Sequence, residues 1–281
     1  LTGICIFGGA HRISHIVSAI VPVMAGVYIL MGVFIILKNI KDVPEMFSLI
    51  FKQAFDFKAF AGGLAGSCIL NGIKRGLYSN EAGMGSAPNA AAAADVSHPV
   101  KQGLVQVLSV FIDTILICTT TAFMLLLSGV PISPSLSGMN YVQEAVSSQI
   151  GKIGPVFITV SIFLFAFSSL VGNYYYTETN FRFIFKSEKA LFIFRCTCVA
   201  AVFVGALMDF STVWSLADIL MGLMAIVNLV VIMLLGRKAI DALNDYRKQR
   251  KEGKNPVFRA SSINAGDENV WSEEHAQKWE N

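Results

Sequence analysis

Long runs of apolar residues separated by short polar connections are the main pattern along the chain. A helix needs about 20 mostly apolar residues to cross the roughly 30 Å hydrocarbon core of a bilayer, and several runs reach that length. We predict six membrane segments, at residues 16–37, 60–96, 100–127, 156–185, 191–207 and 213–235. The pattern therefore predicts an all-α polytopic membrane protein, with a transmembrane region over 1–236 and a polar tail over 237–281.

The composition agrees with a membrane protein. Hydrophobic residues make up 54% of the chain and charged residues 15%, whereas a typical soluble domain is about 25% charged. This excess of apolar side chains indicates lipid as the surrounding solvent. The five cysteines form no CxxC pair, so we interpret them as small buried hydrophobes rather than metal ligands.

The distribution of Lys and Arg predicts how the chain crosses the membrane, because cytoplasmic loops carry an excess of these residues. The stretch after the last segment is strongly basic and predicts a cytoplasmic tail: Arg237, Lys238, Arg247, Lys248, Arg250 and Lys251. Counting back places the lysine-poor connection 129–152 outside. The connection 38–58 also falls outside although it carries four lysines. Within it, the amphipathic stretch 44–55 is predicted to lie at the membrane interface.

The segment 60–96 has apolar flanks but an irregular centre. Glycines, a proline and the charged residues Lys74, Arg75 and Glu81 interrupt it. Backbone that leaves the helix at membrane depth is tolerated only where it is buried in protein or lines a wet cavity. Such a break points to a transporter's binding site, because half-helix ends present free N–H and C=O groups. The alternatives are two helices joined by an ordinary loop, a kinked span with packing glycines, or an Arg75–Glu81 pair that fixes the bend.

Two further features involve charged residues in apolar segments. Asp113 lies near the middle of its segment, where a carboxylate needs a partner or a proton. An ion pair with Lys74 or Arg75 is favoured over a role in proton coupling. Glu178 and Arg182, spaced i,i+4, are predicted to form a surface pair of small energetic worth.

Several longer motifs resemble those of a known family. They are RGLYSNEAGMGSAPNAAAAAD (75–95), HPVKQGLVQ (98–106), FIDTILICTTTAF (111–123), FAFSSLVGNYYYTE (165–178) and VWSLADILMGLMAIVNL (213–229). They closely resemble the alanine or glycine:cation symporter family. The resemblance implies the C-terminal part of a leucine-transporter-like inverted-repeat fold, with 60–96 as its discontinuous sixth helix. Because the chain begins at Leu1 without an initiator Met, we expect a missing N-terminal part that contains the first discontinuous helix.

The resemblance also implies a function and a set of ligands. It implies secondary active symport of a small neutral amino acid, alanine or glycine, with sodium by alternating access in the plasma membrane. The expected partners are the amino acid, sodium as a co-transported ion, the lipid bilayer and the missing N-terminal part. We expect no organic cofactor and no nucleic acid.

The resemblance implies positions for both ligands. Sodium would be held by the Phe165 carbonyl and the hydroxyls of Ser168 and Ser169, although adjacent serines in a membrane helix can also bond to a preceding carbonyl or serve packing. The substrate would dock at the break, where Tyr78 would cover it and Ser79, Asn80 and Glu81 would lie beside it. Asn173, in the segment 156–185, would complete these contacts. Some relatives have Trp at the position of Asn173, which leaves the pocket size open.

Other function classes fit the sequence less well. An intramembrane enzyme is not expected, because the sequence has no HExxH motif and Asp113 has no second aspartate at comparable depth. A channel would need a filter of repeated carbonyls or a ring of charges, and a single irregular break argues against one. A proton-coupled or glutamine-type carrier, and a non-transporting sensor on the same fold, remain as alternatives that an uptake assay separates.

Overall fold

The computed structural model describes residues 2–8, 10–54, 64–131, 133, 136, 138–263, 271 and 273–280, and these are almost entirely helical. The α-helices are α1 (Thr2–Gly8), α2 (Ala10–Lys38), α3 (Val43–Ala54), α4 (Leu64–Asn80), α5 (Ser86–Ala92), α6 (Pro99–Phe111), α7 (Thr119–Leu126), α8 (Met139–Ile150), α9 (Ile153–Ile184), α10 (Glu188–Leu207), α11 (Phe210–Lys251) and α12 (Glu273–Glu280). A π-helix (Ile112–Cys118) joins α6 to α7, and a 3-10 helix (Ala260–Ile263) precedes α12. No strand forms within the described residues, so the predicted all-α class is confirmed there.

Five helical stretches are long and apolar enough to cross a membrane: Ala19–Lys38, Pro99–Leu126, Ile153–Ile184, Glu188–Leu207 and Phe210–Lys251. They match five of the six predicted segments. The remaining segment, 60–96, is partly described, with residues 60–63 outside the described part of the chain and most of the rest in α4 and α5. The helix α3 coincides with the predicted amphipathic stretch. The last helix continues as far as Lys251, so the basic residues after the final apolar run lie on a helical extension.

The described chain divides into two compact units, and the first comprises Leu1–Ser79 and Phe111–Phe203. The main core of this unit is formed by side chains from α2, α3, α7, α8 and α9, among them Tyr28, Ile35, Met46, Met124, Val146 and Ile158. The Tyr28 ring packs edge-on against Phe165 at 5.5 Å between centroids. Its hydroxyl lies 2.8 Å from Thr121 Oγ1. A buried tyrosine needs such a partner for its hydroxyl, so this contact fixes how α2 meets α7.

The helices α2 and α7 approach closely at Gly32. A Cβ atom added there would overlap with Thr120 Cγ2 and lie 3.3 Å from Met124 Cε. Both neighbours are buried, so there is little room for them to move. At Gly26, in the same helix, an added Cβ would meet no atom within 4 Å. The absence of a side chain at Gly32 is therefore what permits this contact between the two helices.

The second unit comprises Asn80–Val110 and Val204–Asn281. Asp209 precedes the first residue of its long helix α11, and the Asp209 carboxylate accepts hydrogen bonds from the Ser211 and Thr212 N–H groups at 3.0 and 3.3 Å. The Ser211 hydroxyl, followed by the Thr212 N–H, lowers the pKa of Asp209 below its usual value. This is the N-cap that a helix start requires, because its first N–H groups have no partner within the helix.

We predict opposite stability effects for two glycine substitutions in α2. Replacing Gly with Ala in a helix interior gains about 1 kcal/mol of helix propensity, whereas overpacking a core costs about 1–3 kcal/mol. Gly26→Ala should therefore leave the melting temperature of the purified full-length protein unchanged or raise it. Gly32→Ala should lower it because the new methyl group collides with Thr120. Equal melting temperatures for the two variants would contradict the close packing of α2 on α7.

Candidate functional site

The predicted break is present in the backbone. The helix α4 ends at Asn80 and α5 begins at Ser86. Between them Glu81 has φ 53°, and Gly83 and Gly85 have φ 82° and 119°. The left-handed region disfavours residues with a Cβ atom, so the two glycines allow a turn that other residues would resist. A Cβ on Gly85 would also lie 2.9 Å from Met224 Cγ of α11, so glycine permits this close approach too.

Polar side chains form hydrogen bonds with the backbone groups and with the Glu81 carboxylate at the break. Asn80 Oδ1 accepts from the Ala82 N–H at 3.0 Å, which is an Asx turn. The Ser86 hydroxyl donates to Glu81 Oε2, and Asn228 Nδ2 of α11 donates to the Gly83 carbonyl at 3.0 Å. Asn228 was not singled out from the sequence. A lone amide in an apolar helix was the signal that could have found it, since such a group needs a partner at membrane depth.

Asp113 lies on the π-helix in the middle of the span Pro99–Leu126. Its Oδ2 atom accepts a hydrogen bond from Ser79 Oγ at 2.7 Å, and Cys118 Sγ lies 3.9 Å from it. The described partner is thus a hydroxyl from the end of α4, whereas the sequence favoured Lys74 or Arg75. The ion pair of Asp113 with Lys74 or Arg75 stays a prediction. π-Helical turns are rare and occur often at functional sites.

Tyr78, the aromatic residue predicted to cover the substrate, lies on the last turn of α4. Tyr78 is half-buried, and the Arg75 guanidinium carbon lies 5.9 Å from the centroid of its ring. This distance is within the range of a cation–π contact. The predicted pairing of Arg75 with Glu81, and the role of Tyr78 as a cover for the substrate, stay predictions.

Two of the three predicted sodium ligands lie close together on α9. Ser168 is buried, and its hydroxyl donates to the Phe165 carbonyl at 3.0 Å. Oxygens at this spacing can both contact one hard cation, whose ligand distances are about 2.3–2.6 Å for Ca²⁺. The same bond also forms where a membrane helix only satisfies its own hydroxyl. The contact is compatible with a sodium site, and the site itself stays a prediction.

The remaining predicted positions on α9 are more open. Ser169 and Asn173 are exposed, and they follow one another by one helical turn. The backbone carbonyl of Asn173 accepts a hydrogen bond from Thr177 Oγ1 at 2.7 Å. The side-chain amide of Asn173 is not part of that bond. The exposed hydroxyl of Ser169 and the exposed amide of Asn173 are accessible for binding, and their roles stay predictions.

The pair of Glu178 and Arg182 is not the weak surface contact that the sequence indicated. Glu178 is only 2% exposed. Arg182 Nε and Arg195 Nη2 each donate to Glu178 Oε1 at 2.9 Å. The Tyr174 hydroxyl donates to the other carboxylate oxygen, and Arg195 Nε lies 3.1 Å from that hydroxyl. The prediction was wrong because spacing along α9 says nothing about α10, which supplies the second arginine and covers the carboxylate.

Comparison with known proteins gives this geometry its context. The model of the sodium:alanine symporter family matches residues 1–260. The chain belongs to that family. It is 51% identical over 263 residues to the amino-acid carrier protein AlsT of Bacillus subtilis, covering 94% of this chain and 56% of the relative. It is 48% identical to the probable sodium/glutamine symporter GlnT of the same organism, covering 91% and 54%. It is 38% identical to the sodium/alanine symporter AgcS of Methanococcus maripaludis, covering 90% and 56%.

Membership in the sodium:alanine symporter family confirms the resemblance seen in the motifs. The family and these relatives are transporters and not enzymes, as the sequence predicted. The chain spans about half the length of the curated relatives it matches, at 54–56% for these three. The break, the π-helix and the Glu178 cluster all lie within the matched residues.

We predict unequal costs for removing the two arginines that bind Glu178. Breaking a buried ion pair costs about 3–5 kcal/mol, whereas an exposed pair contributes about 0–1 kcal/mol. The Arg195 side chain is 17% exposed and that of Arg182 is 48% exposed. Arg195→Met should therefore lower the melting temperature of the full-length protein clearly, and the matched change Arg182→Met should lower it little. Equal losses would contradict a buried network centred on Glu178 and Arg195.

Proposed function

We propose that the full-length protein carries a small neutral amino acid, alanine or glycine, across the plasma membrane together with sodium. The observation that carries the proposal is the break between α4 and α5, found in a member of a symporter family. Family membership supports cation-coupled amino-acid symport. Alternating access by rocking of one helical bundle against another, on a leucine-transporter-like inverted-repeat fold, completes the proposal. The tail after the last apolar run lies in the cytoplasm in this scheme.

The substrate docks at the break. The ends of half-helices can hold a carboxylate and an ammonium group through backbone N–H and C=O groups, without dedicated charged side chains. The positions that contact the substrate are those at the end of α4 and in the turn that follows, together with one on α9: Tyr78, Ser79, Asn80, Glu81 and Asn173. The missing N-terminal part of the protein, with the first discontinuous helix, supplies the rest of the site.

Sodium binds at α9, at the Phe165 carbonyl and the hydroxyls of Ser168 and Ser169. The 3.0 Å contact between Ser168 Oγ and the Phe165 carbonyl supports this assignment, because it brings two neutral oxygens to one place. Neutral oxygen ligands suit a hard cation that must be released on each cycle. Binding of sodium stabilises the outward-open state, and the amino acid binds next.

The choice of amino acid rests on the family alone. One relative is named for alanine and another for glutamine. Asn173 is exposed on α9, and a change in side-chain size there changes the room beside the substrate. We therefore include glutamine beside alanine and glycine as a test substrate, with alanine or glycine expected to be taken up best.

Proton coupling is the second candidate, and one observation favours it. Asp113 is a carboxylate inside a span, on a π-helix, and it accepts a hydrogen bond from Ser79 at the break. A group at this place could take a proton in one state of the carrier and release it in another. Under this alternative, uptake follows a pH gradient and Asp113→Asn removes that dependence.

Uptake of labelled L-alanine, glycine and L-glutamine by the full-length protein in transport-deficient cells tests the proposal, with sodium and then with choline replacing it. Uptake should require sodium. Ser169→Ala should raise the sodium concentration for half-maximal uptake up to about tenfold, because one lost ligand of about 1–1.5 kcal/mol corresponds to that factor. Ser215→Ala is the control, since the Ser215 hydroxyl only bonds the Ser211 carbonyl of its own helix at 2.8 Å.

Each outcome decides a different part of the proposal. Uptake that ignores sodium and follows a pH gradient removes the sodium assignment and leaves Asp113 as the coupling residue. Unequal sodium requirements for Ser169→Ala and Ser215→Ala support the ion site, and equal ones remove it. No uptake of any of the three substrates, by a protein shown to reach the membrane, rules out the proposed substrates.

A further inference from the structure

The C-terminal segment folds back onto the connection between α5 and α6. We call this segment the clasp and define it as residues 255–263, 271 and 273–280. Each of the four residues before α6 contacts it. Asp95 forms an ion pair with Lys278, and the Val96 carbonyl lies 3.0 Å from His275 Nε2. Ser97 Oγ donates to the Pro256 carbonyl at 2.9 Å, the Phe258 N–H donates to the Ser97 carbonyl at 2.9 Å, and the His98 ring packs edge-on against Phe258.

Residues of α6 and α11 form further hydrogen bonds with the clasp and with Ser97 beside it. Lys101 Nζ donates to Ser97 Oγ and to Asn255 Oδ1, both at 2.6 Å. Gln249 of α11 makes a reciprocal pair with Val257, in which its Nε2 donates to the carbonyl and its Oε1 accepts from the N–H, each at 3.0 Å. The clasp is therefore a bonded part of the second unit and not a loose end.

His98 is the buried centre of this contact, at 0% exposure. Its ring packs edge-on against Tyr246 and Phe258, each at 5.1 Å between centroids. Its Nε2 atom lies 3.3 Å from Asp245 Oδ2, and its Nδ1 atom accepts from the Val100 N–H at 3.2 Å. A backbone N–H can only donate, so Nδ1 carries no proton and Nε2 carries it. The contacts thus select neutral histidine.

The charged groups around His98 come from two helices. Asp245 of α11 lies against Nε2 and favours a charged ring, whereas Lys101 of α6 opposes it. Arg250 of α11 is a further cation near Lys101 and repels it. From the clasp the ring meets the apolar Phe258. Burial outweighs the hydrogen bond to Asp245, so the pKa of His98 lies below its usual value.

We propose that the clasp is a proton-sensitive restraint on the broken segment, closed while His98 is neutral and released when His98 binds a proton. Protonation at Nδ1 would place an N–H group against the Val100 N–H, which removes that hydrogen bond and puts a charge among the rings of Tyr246 and Phe258. Release frees the connection that follows α5, the second half of the break. A consequence for transport rests on the proposed function, but opening of the clasp does not.

The direction of the pH effect follows from the lowered pKa of His98. The neutral form stabilises the folded clasp at pH values above about 6.5, the ordinary histidine pKa. That stabilisation is lost as the pH falls through the lower value in the folded protein. For one proton, the ratio of open to closed clasp rises at most about tenfold per pH unit between about pH 6.5 and the lower pKa of the closed clasp, and it stops changing below that pKa.

Hydrogen–deuterium exchange of the purified full-length protein between pH 7.5 and 5 tests the clasp, with rates corrected for intrinsic exchange. Peptides that cover 95–101 and 255–263 should lose protection together below about pH 6.5, at up to about tenfold per pH unit. Peptides from the α9 core should keep theirs. Unchanged clasp peptides, or equal loss in α9, would overturn the proposal.

Three variants assign the effect to His98. His98→Asn keeps an acceptor for the Val100 N–H but cannot be charged, so the pH response should disappear. Asp245→Asn removes the charge that stabilises the protonated ring in the closed clasp, so the pH-dependent loss of protection should become larger. A purely structural role of Asp245 would instead weaken the clasp by the same factor at every pH. His275→Gln keeps a donor for the Val96 carbonyl and should retain the response; loss of the response in this control would transfer it to His275 and overturn the assignment.

Uptake measurements on the same variants separate the clasp from the proposed function. If the clasp restrains the carrier, cytoplasmic acidification should change the rate of uptake in the unmodified protein and not in His98→Asn. A protein that transports nothing but shows the exchange pattern would refute the substrate proposal and leave the clasp intact. A protein that transports alanine, but whose clasp peptides do not respond to pH, would support the substrate proposal and refute the clasp.

Discussion

The absence of water inside a bilayer is the constraint on which the rest of this structure depends. A backbone or side-chain polar group placed in a span must find its partner within the protein. The break between α4 and α5 meets this requirement through Asn80, Ser86 and Asn228. Asp113 meets it through Ser79. Asn80, Ser86, Asn228 and Ser79 thus each supply a specific polar contact where the apolar pattern is interrupted.

The same constraint produces two different kinds of polar cluster. The Glu178 cluster is closed, because two arginines and a tyrosine occupy the carboxylate oxygens. A fully satisfied buried network rigidifies the helices that carry it. The contacts of Ser79 with Asp113 and of Ser168 with the Phe165 carbonyl are single hydrogen bonds.

Much of the fold could be predicted from the sequence, because length and hydrophobicity alone decide whether a helix can cross a bilayer. Five predicted segments correspond to helices of sufficient length, and the break lies where glycine and charge interrupt the pattern. The family could be predicted from long contiguous motifs. Glu178 could not be placed correctly, because its burial depends on Arg195, a residue 17 positions away on another helix. The π-helix likewise has no signal in the period of apolar residues.

The sequence by itself determined the helical class, the long apolar helices, the position of the break and the family, since these depend on composition and on residues close together in the chain. Only the tertiary structure decided which polar groups satisfy one another. Asn228 meets Gly83 across 145 positions, and Ser97 meets Pro256 across 159. No periodicity records such pairs, because helices of similar hydrophobicity can pack in many ways. The burial of His98 likewise depends on the tail, because Phe258 packs against its ring only in the folded protein.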